Sequence, residues 1–282
     1  MKIGIIGLGL MGASFARTLI KKNAAEVYAY DINPAVMMKA RLMGIENVLS
    51  VENAGELDAL VLCIFPKDVK AAIRPYISKM KEGAVVIDFC GVKREVVEVF
   101  GELSEEYPRL NFIGGHPMAG REFSGIEHST ATLYEMASMI LVPVKEDIFL
   151  LDKVKNFFLS VGFGKVVVTT AENHDRMIAF TSQLCHVVSN NYIKNESALA
   201  HDGYSAGSYR DLTRVARLNP QMWTELMMSN ADYLLDELNE FIANLTEYRD
   251  AIARRDGEEL KRLLSEGNDL KLKIDVRNKN DN

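Results

Sequence analysis

Apolar and polar positions along the chain follow two different rhythms. From residue 1 to about 168, short apolar runs at 3–6, 26–30, 59–64, 84–88, 110–113, 139–142 and 165–168 alternate with longer segments of helical period. Runs such as Ala59-Leu-Val-Leu-Cys-Ile64, apolar at every position, are what strands buried on both faces present. The intervening segments 13–22, 34–43, 68–80, 93–103 and 148–161 predict helices, and Asn33-Pro34 supplies an N-cap followed by a first-turn proline. Strand and helix in alternation predict a doubly wound, mostly parallel sheet. Beyond Thr170 the rhythm changes. Segments 171–195, 208–218, 220–254 and 258–276 are helical in period and contain no strand candidate, with Met222, Leu226, Met227, Leu234, Leu235, Leu238 and Ile242 mostly three or four apart. The chain is therefore expected to have an α/β domain over 1–169 and an all-α domain over 170–282, joined near 169–173.

The first run leads directly into Gly7-Leu-Gly-Leu-Met-Gly12, a G-x-G-x-x-G spacing that opens a predicted helix. Each glycine has a task in such a turn: Gly7 for the tight bend, Gly9 for close approach of a pyrophosphate, Gly12 for helix–strand packing. Backbone N–H groups from Leu8, Leu10 and Met11 complete the phosphate cradle at the helix N-terminus. The second strand ends in Asp31, 19 residues after Gly12, close to the ~20 expected of the carboxylate that binds a ribose 2′-hydroxyl. These features predict a Rossmann-like, dinucleotide-binding α/β domain. Asp31 would repel a 2′-phosphate, and neither Ile32 nor Asn33 brings positive charge, so the reading is NAD rather than NADP.

Composition narrows the field. Hydrophobic residues make up 48% of 282, enough for a normal core, and only the polar tail 277–282 is an exception. The net charge of −6 argues against a nucleic-acid partner. No apolar run reaches the ~18 residues of a membrane span, and the N-terminus reads as a core strand rather than a signal peptide. Cys63, Cys90 and Cys185 are odd in number and lie in apolar surroundings, which predicts reduced, buried thiols in a cytoplasmic protein.

Ligands of open α/β sheets sit at the carboxyl ends of the strands, here the loops after Ile64 (with Pro66 as a cofactor-binding candidate), Asp88 and Ile113. In the last of these, His116, followed by Pro117 and flanked by glycines, is placed as a general base. His174 and His186 are 12 apart, so on one helix they stand about 18 Å from each other and share no metal. No metal-binding spacing occurs elsewhere, and no metal is expected. His186 lies among apolar residues and is either a core histidine or one that faces a substrate. Arg214 suits bidentate contact with a carboxylate, with a surface salt bridge as the alternative.

Together the glycine fingerprint, the motif His116-Pro-Met-Ala-Gly-Arg-Glu-Phe-Ser-Gly125, the pair His174-Asp175, the run Ser182-Gln-Leu-Cys-His186, and Asp211-Leu-Thr-Arg214 with Trp223 nine residues on resemble the prephenate dehydrogenases. The resemblance covers nearly the whole chain. β-Hydroxyacid dehydrogenases share the glycine fingerprint but depend on a catalytic lysine and lack this motif. The resemblance implies NAD-dependent oxidative decarboxylation of prephenate to 4-hydroxyphenylpyruvate, in tyrosine biosynthesis. His116 then accepts the hydroxyl proton, Arg214 binds a substrate carboxylate, and His186 touches the substrate's polar end. Glu122 gates or orients the site, while Trp223 and Asp211 shape and support it. A homodimer through the helical domain is expected. One position departs from the family: where many members carry a serine before the Val-Lys after the fourth long strand, this chain has Gly91, so a water or a neighbouring group does that work or the contact is dispensable. No fused chorismate mutase segment or ACT domain is expected, which leaves the active site as the place where tyrosine would inhibit. The alternatives are an arogenate (cyclohexadienyl) dehydrogenase and a non-catalytic nucleotide-binding module.

Overall fold

In the computed structural model, which describes residues 1–121 and 123–280, the expected alternation forms one eight-stranded sheet. The elements run β1 (Lys2–Ile6), α1 (Leu10–Lys21), β2 (Glu26–Tyr30), α2 (Pro34–Leu42), β3 (Asn47–Val48), β4 (Ala59–Leu62), α3 (Val69–Ile77), β5 (Val85–Asp88), α4 (Arg94–Glu106), β6 (Asn111–Pro117), β7 (Ser138–Pro143), α5 (Ile148–Ser160) and β8 (Lys165–Val168). The strand order is β3-β2-β1-β4-β5-β6-β7-β8. All neighbours are parallel except β6 and β7. The order reverses between β1 and β4, and that switch point is where such sheets hold their ligands. Two apolar clusters cover the two faces: one around Phe15, Phe89, Tyr134 and Phe158, the other around Leu60, Ile73, Phe100 and Phe112. Local signals set the helix starts as expected, with Asn33 accepting from the Ala35 N–H and Asp147 from those of Phe149 and Leu150.

Helices follow: α6 (Ala171–Ile178), α7 (Cys185–Tyr192), α8 (Gly207–Thr213), α9 (Pro220–Met228), α10 (Ala231–Ala253) and α11 (Gly257–Asn280). Residues Ala179–Leu184 form a π-helical stretch that joins α6 to α7. By packing, residues Met1–Asn230 make one compact unit and Ala231–Asn282 another. Within the second, α10 and α11 are linked by Arg255 in the left-handed region (φ 54°), and the Tyr248 hydroxyl donates to the Leu263 carbonyl. Ala251 and Leu263 are buried, whereas Leu245, Ile252, Leu264, Leu270 and Ile274 are exposed.

Several local expectations change. The two-residue strand β3 carries no apolar run and is made by pairing with β2. Strand β6 continues to Pro117, so His116 lies in the strand, opposite Ile140 of β7, and not in a loop. Gly114 and Gly115 mask the strand pattern, yet their lack of side chain is what lets β6 approach its neighbours: a Cβ on Gly115 would meet the Asp88 carbonyl and the Met139 side chain. The expected helix over 220–254 breaks at Ser229 and Asn230, where Asn230 is buried and hydrogen-bonded by its side chain. Helix α11 reaches into the polar tail, to Asn280. Cys63 is half-buried and Cys90 buried, but Cys185 is exposed, because it opens α7 on its outer face.

Candidate active site

The glycine turn connects β1 to α1 beside the switch point. Gly7 adopts φ +90°, and a Cβ there would collide with the Cys63 carbonyl of the neighbouring β4 loop. At Gly12 a Cβ would strike the Gly7 carbonyl oxygen. Both glycines are therefore dictated by close backbone approach. Gly9 differs, since a Cβ there meets nothing within 4 Å. It is also the N-cap of α1 and brings no side-chain cap. Open space over uncapped N-terminal N–H groups, those of Leu10, Met11 and Gly12, fits a pyrophosphate. The Asp31 carboxylate is held at the end of β2 by the Leu8 N–H (2.8 Å) and the Asn33 N–H (2.9 Å). Each oxygen keeps acceptor capacity for ribose hydroxyls. Pro66 is buried at the carboxyl end of β4, the next strand across the switch point. The residues present thus fit a dinucleotide. Among the described residues, no group of three or more His, Cys, Asp or Glu is disposed to hold a metal ion.

A second arrangement lies two strands further along. The Nδ1 of His116 is 2.8 Å from Nε2 of His174, whose Nδ1 is 2.7 Å from Asp175 Oδ1. The Asp175 carboxylate also accepts the backbone N–H groups of Lys93 (2.7 Å) and Arg94 (2.9 Å) and the Nε–H of Arg94 (3.3 Å). These contacts fix the tautomers. An ionised carboxylate only accepts, so His174 donates from Nδ1 and its Nε2 carries a lone pair. His116 must then donate from Nδ1, which leaves its own Nε2 as a bare acceptor. Burial lowers the His116 pKa well below its ordinary value, and the adjacent His174 and Lys93 push the same way. His174 is lowered too, chiefly by burial and against the pull of Asp175. Burial alone would raise Asp175, but hydrogen bonds from His174, Arg94 and Lys93 hold it below the usual carboxylate range. At neutral pH the set is an ionised carboxylate and two neutral imidazoles.

The π-helical stretch connects this set to a third group. His186, the second residue of α7, packs its ring against Trp223 of α9, with 4.0 Å between ring centroids and the planes 33° apart. Its Nδ1 donates to the Ser182 carbonyl at 2.8 Å, which leaves Nε2 as an acceptor. Burial lowers its pKa, and the nearby Arg214 guanidinium adds to that shift. Arg214 caps α8 and is exposed. Asp211 is exposed on the same helix. The structure thus brings together His186, Trp223 and Arg214, and pairs His116 with His174, while Glu122 lies outside the described residues. The Gly91 position is filled by an apolar neighbour, because a Cβ there would lie 3.3 Å from Leu226 of α9. The Cys90 thiol, whose pKa burial raises, donates to the Ile64 carbonyl instead of taking a serine's place.

Sequence reasoning did not assign Lys93, Arg94, Gln183 or Asn230. Asn230 accepts from Arg94 (3.0 Å) and donates to the Asp175 carbonyl and the Gln183 side chain (both 2.9 Å), and Gln183 donates to the Leu226 carbonyl (2.9 Å). Only the His174-Asp175 pair and the Gln183 in its motif were visible signals; the other partners are 81 to 136 residues from the groups they hold.

A switch-point dinucleotide cradle beside a histidine with a bare nitrogen defines a dehydrogenase. Comparison with known proteins specifies it further. Residues 15–168 match the model of the prephenate dehydrogenase nucleotide-binding domain, and residues 170–266 match that of the prephenate dehydrogenase dimerization domain. The chain belongs to the prephenate dehydrogenase family. It is 32% identical over 269 residues to the cyclohexadienyl dehydrogenase of Zymomonas mobilis, covering 92% of this chain and 90% of that protein. To the prephenate dehydrogenase of Lactococcus lactis subsp. cremoris it is 29% identical over 98% of this chain and 78% of the relative. Its fold matches the crystal structure of prephenate dehydrogenase from A. aeolicus in complex with hydroxyphenyl propionate and NAD+, with a TM-score of 0.82, 29% identity, and coverage of 97% and 98%. No helix among the described residues is long and apolar enough to cross a membrane.

Proposed function

We propose that this protein catalyses the NAD-dependent oxidative decarboxylation of prephenate to 4-hydroxyphenylpyruvate, with His116 as the proton acceptor. The observation that carries the proposal is the bare Nε2 of His116, left so by the chain of hydrogen bonds from Asp175 through His174. Loss of hydride from the hydroxyl-bearing ring carbon, with loss of carbon dioxide opposite, makes the ring aromatic. The reaction therefore asks little of the protein beyond placement and one proton acceptor. Bound NAD supplies the hydride acceptor. The N–H groups of Leu10, Met11 and Gly12, above Gly9, take its pyrophosphate, while Gly7 and Leu8 form the turn, their N–H groups held by the Tyr30 carbonyl and Asp31; Asp31 takes the adenosine ribose hydroxyls, and Pro66 lines the switch point.

His116 Nε2 takes the hydroxyl proton as the carbonyl forms. The imidazolium that results is stabilised through His174 by the Asp175 carboxylate. Arg214 holds a substrate carboxylate by a charge-assisted pair. His186 offers Nε2 to the substrate's polar end, and Trp223 fixes the His186 ring by packing against it. Asp211 supports Arg214 from the same helix, and Glu122 gates or orients the site.

In this reading residues 1–169 bind the cofactor and 170–282 complete the substrate site and the dimer. The exposed apolar residues of α10 and α11 suit a homodimer face, in keeping with the description of the matching C-terminal model. A cytoplasmic location agrees with three unpaired cysteines.

The second reading, arogenate as substrate, draws on the relationship to a cyclohexadienyl dehydrogenase. The test is reduced-nucleotide formation by purified protein with prephenate and arogenate, each with NAD and NADP. Turnover of prephenate with NAD is the expected result. Turnover of arogenate alone would move the assignment to the second reading, and NADP preference would overturn the role given to Asp31.

A further inference from the structure

Beneath the catalytic histidine lies a charge pair that the reaction scheme leaves unused. Lys93 and Asp88 form an ion pair with both side chains fully buried. Burying two charges is costly, and such a pair is commonly no more stabilising than two apolar side chains of the same volume. Its partners indicate what it does. Asp88 Oδ1 accepts the N–H of Gly115, the residue before His116, at 3.0 Å. Asp88 Oδ2 accepts the Cys90 N–H at 2.8 Å as well as the Lys93 ammonium. The Lys93 backbone N–H donates to Asp175 at 2.7 Å. The lysine stem runs under β6, where a Cβ on Gly114 would lie 3.2 Å from Lys93 Cδ. Gly114 leaves room for the lysine stem, while at Gly115 the Asp88 main-chain carbonyl and the Met139 side chain fill the space.

We propose that Lys93 is the positioning residue for His116, closing a hydrogen-bonded ring that passes from His116 through His174 and Asp175 to the Lys93 N–H, and from the Lys93 ammonium through Asp88 and the Gly115 N–H back to His116. The proposal rests on the reading of His116 as base. One arm of the ring fixes the imidazole through its Nδ1 and the other fixes the backbone that carries it, and Lys93 is the single residue common to both. A misplacement of about 1 Å at a catalytic group costs on the order of a hundredfold in rate, so a ring with two anchors has a kinetic use. The ammonium has a second effect. The charged and titratable groups around His116 are Asp88 at the end of β5, Cys90 and Lys93 in the following turn, Arg94 at the start of α4, and His174 and Asp175 on α6. Of these, Lys93 acts on both imidazoles to disfavour their protonation, which extends the pH range of the base downward.

The test uses Lys93→Met and the charge-neutral double variant Asp88→Asn/Lys93→Met, with fold checked by circular dichroism. His116→Asn is assayed in parallel. For the folded variants kcat is expected to fall at least about tenfold with the KM for prephenate little changed. In Lys93→Met, where the ammonium alone is lost, the acid limb of kcat/KM is expected to move up by about one pH unit. A folded double variant with wild-type kcat would overturn the proposal. If His116→Asn itself retained full turnover, the base reading would fall first. Should neither lysine variant fold, ¹⁵N spectra of the wild-type imidazoles decide the matter: both rings are expected to be neutral and protonated at Nδ1 at neutral pH, and an imidazolium there contradicts the account.

Discussion

Two histidine sites of the same compact unit are built in opposite ways. His116 stands in a strand, its Nδ1 tied to a buried partner that is tied in turn to a buried carboxylate holding three further N–H groups. His186 stands on a helix just after a π-helical stretch, held by one backbone carbonyl and one packed ring, with the exposed Arg214 nearby. The first site is rigid and leaves a single degree of chemical freedom, the lone pair on Nε2. The second is more open, with His186 half-buried and Arg214 exposed. A group that must take a proton gains from a fixed tautomer and from being unprotonated at the working pH. Groups that must hold carboxylates and release product gain from accessibility.

This contrast can be broken from either side. Asp175→Asn should have the largest effect, a fall in kcat of about 10²-fold or more, because an amide can donate to His174 and reverse every proton along the chain to His116. Near-normal kcat in a folded Asp175→Asn protein would show that tautomer control is unimportant. Arg214→Ala should instead raise the KM for prephenate, by about tenfold to a hundredfold for a lost charge-assisted contact of ~1.5–3 kcal/mol, and affect kcat much less. A wild-type KM would remove Arg214 from the site. The smallest effect is expected at the ion pair between Lys67, in the loop after β4, and Glu225 of α9, 2.5 Å apart and solvent-exposed on the lysine side. Lys67→Ala should cost less than about 1 kcal/mol, and steady-state parameters shifted more than about fivefold would reveal a clasp between the cofactor loop and α9.

Acid sensitivity follows from the same groups. His116 and His174 have folded pKa values below their unfolded ones. The unfolded chain therefore takes up protons first as pH drops below about 6.5, and the stability these residues contribute above that pH is lost as it falls.

How much of this was legible in the sequence depends on the range of the interactions. The glycine turn, Asp31 and the apolar runs of β1, β4 and β5 are local, and each is set by its own residues. The extension of β6 was hidden, because its glycines answer to Asp88 and Lys93 rather than to a strand propensity. The break before α10 was hidden for a similar reason: Asn230 reads as an ordinary helix residue until Arg94, Gln183 and the Asp175 carbonyl surround it. His116 stood out by position and motif, whereas its partner His174, 58 residues away, was visible only as half of a His-Asp pair with no stated task. Gly91 was legible as a departure, and the structure adds that Leu226 fills the space beside it.

The central claim is that Nε2 of His116 takes the hydroxyl proton, and the most direct test is the single-turnover rate of reduced-nucleotide formation in His116→Asn beside the wild type, with NAD affinity measured on both. The account predicts a rate lower by about 10²- to 10⁴-fold with NAD binding unchanged. An undiminished rate in the folded variant would contradict it.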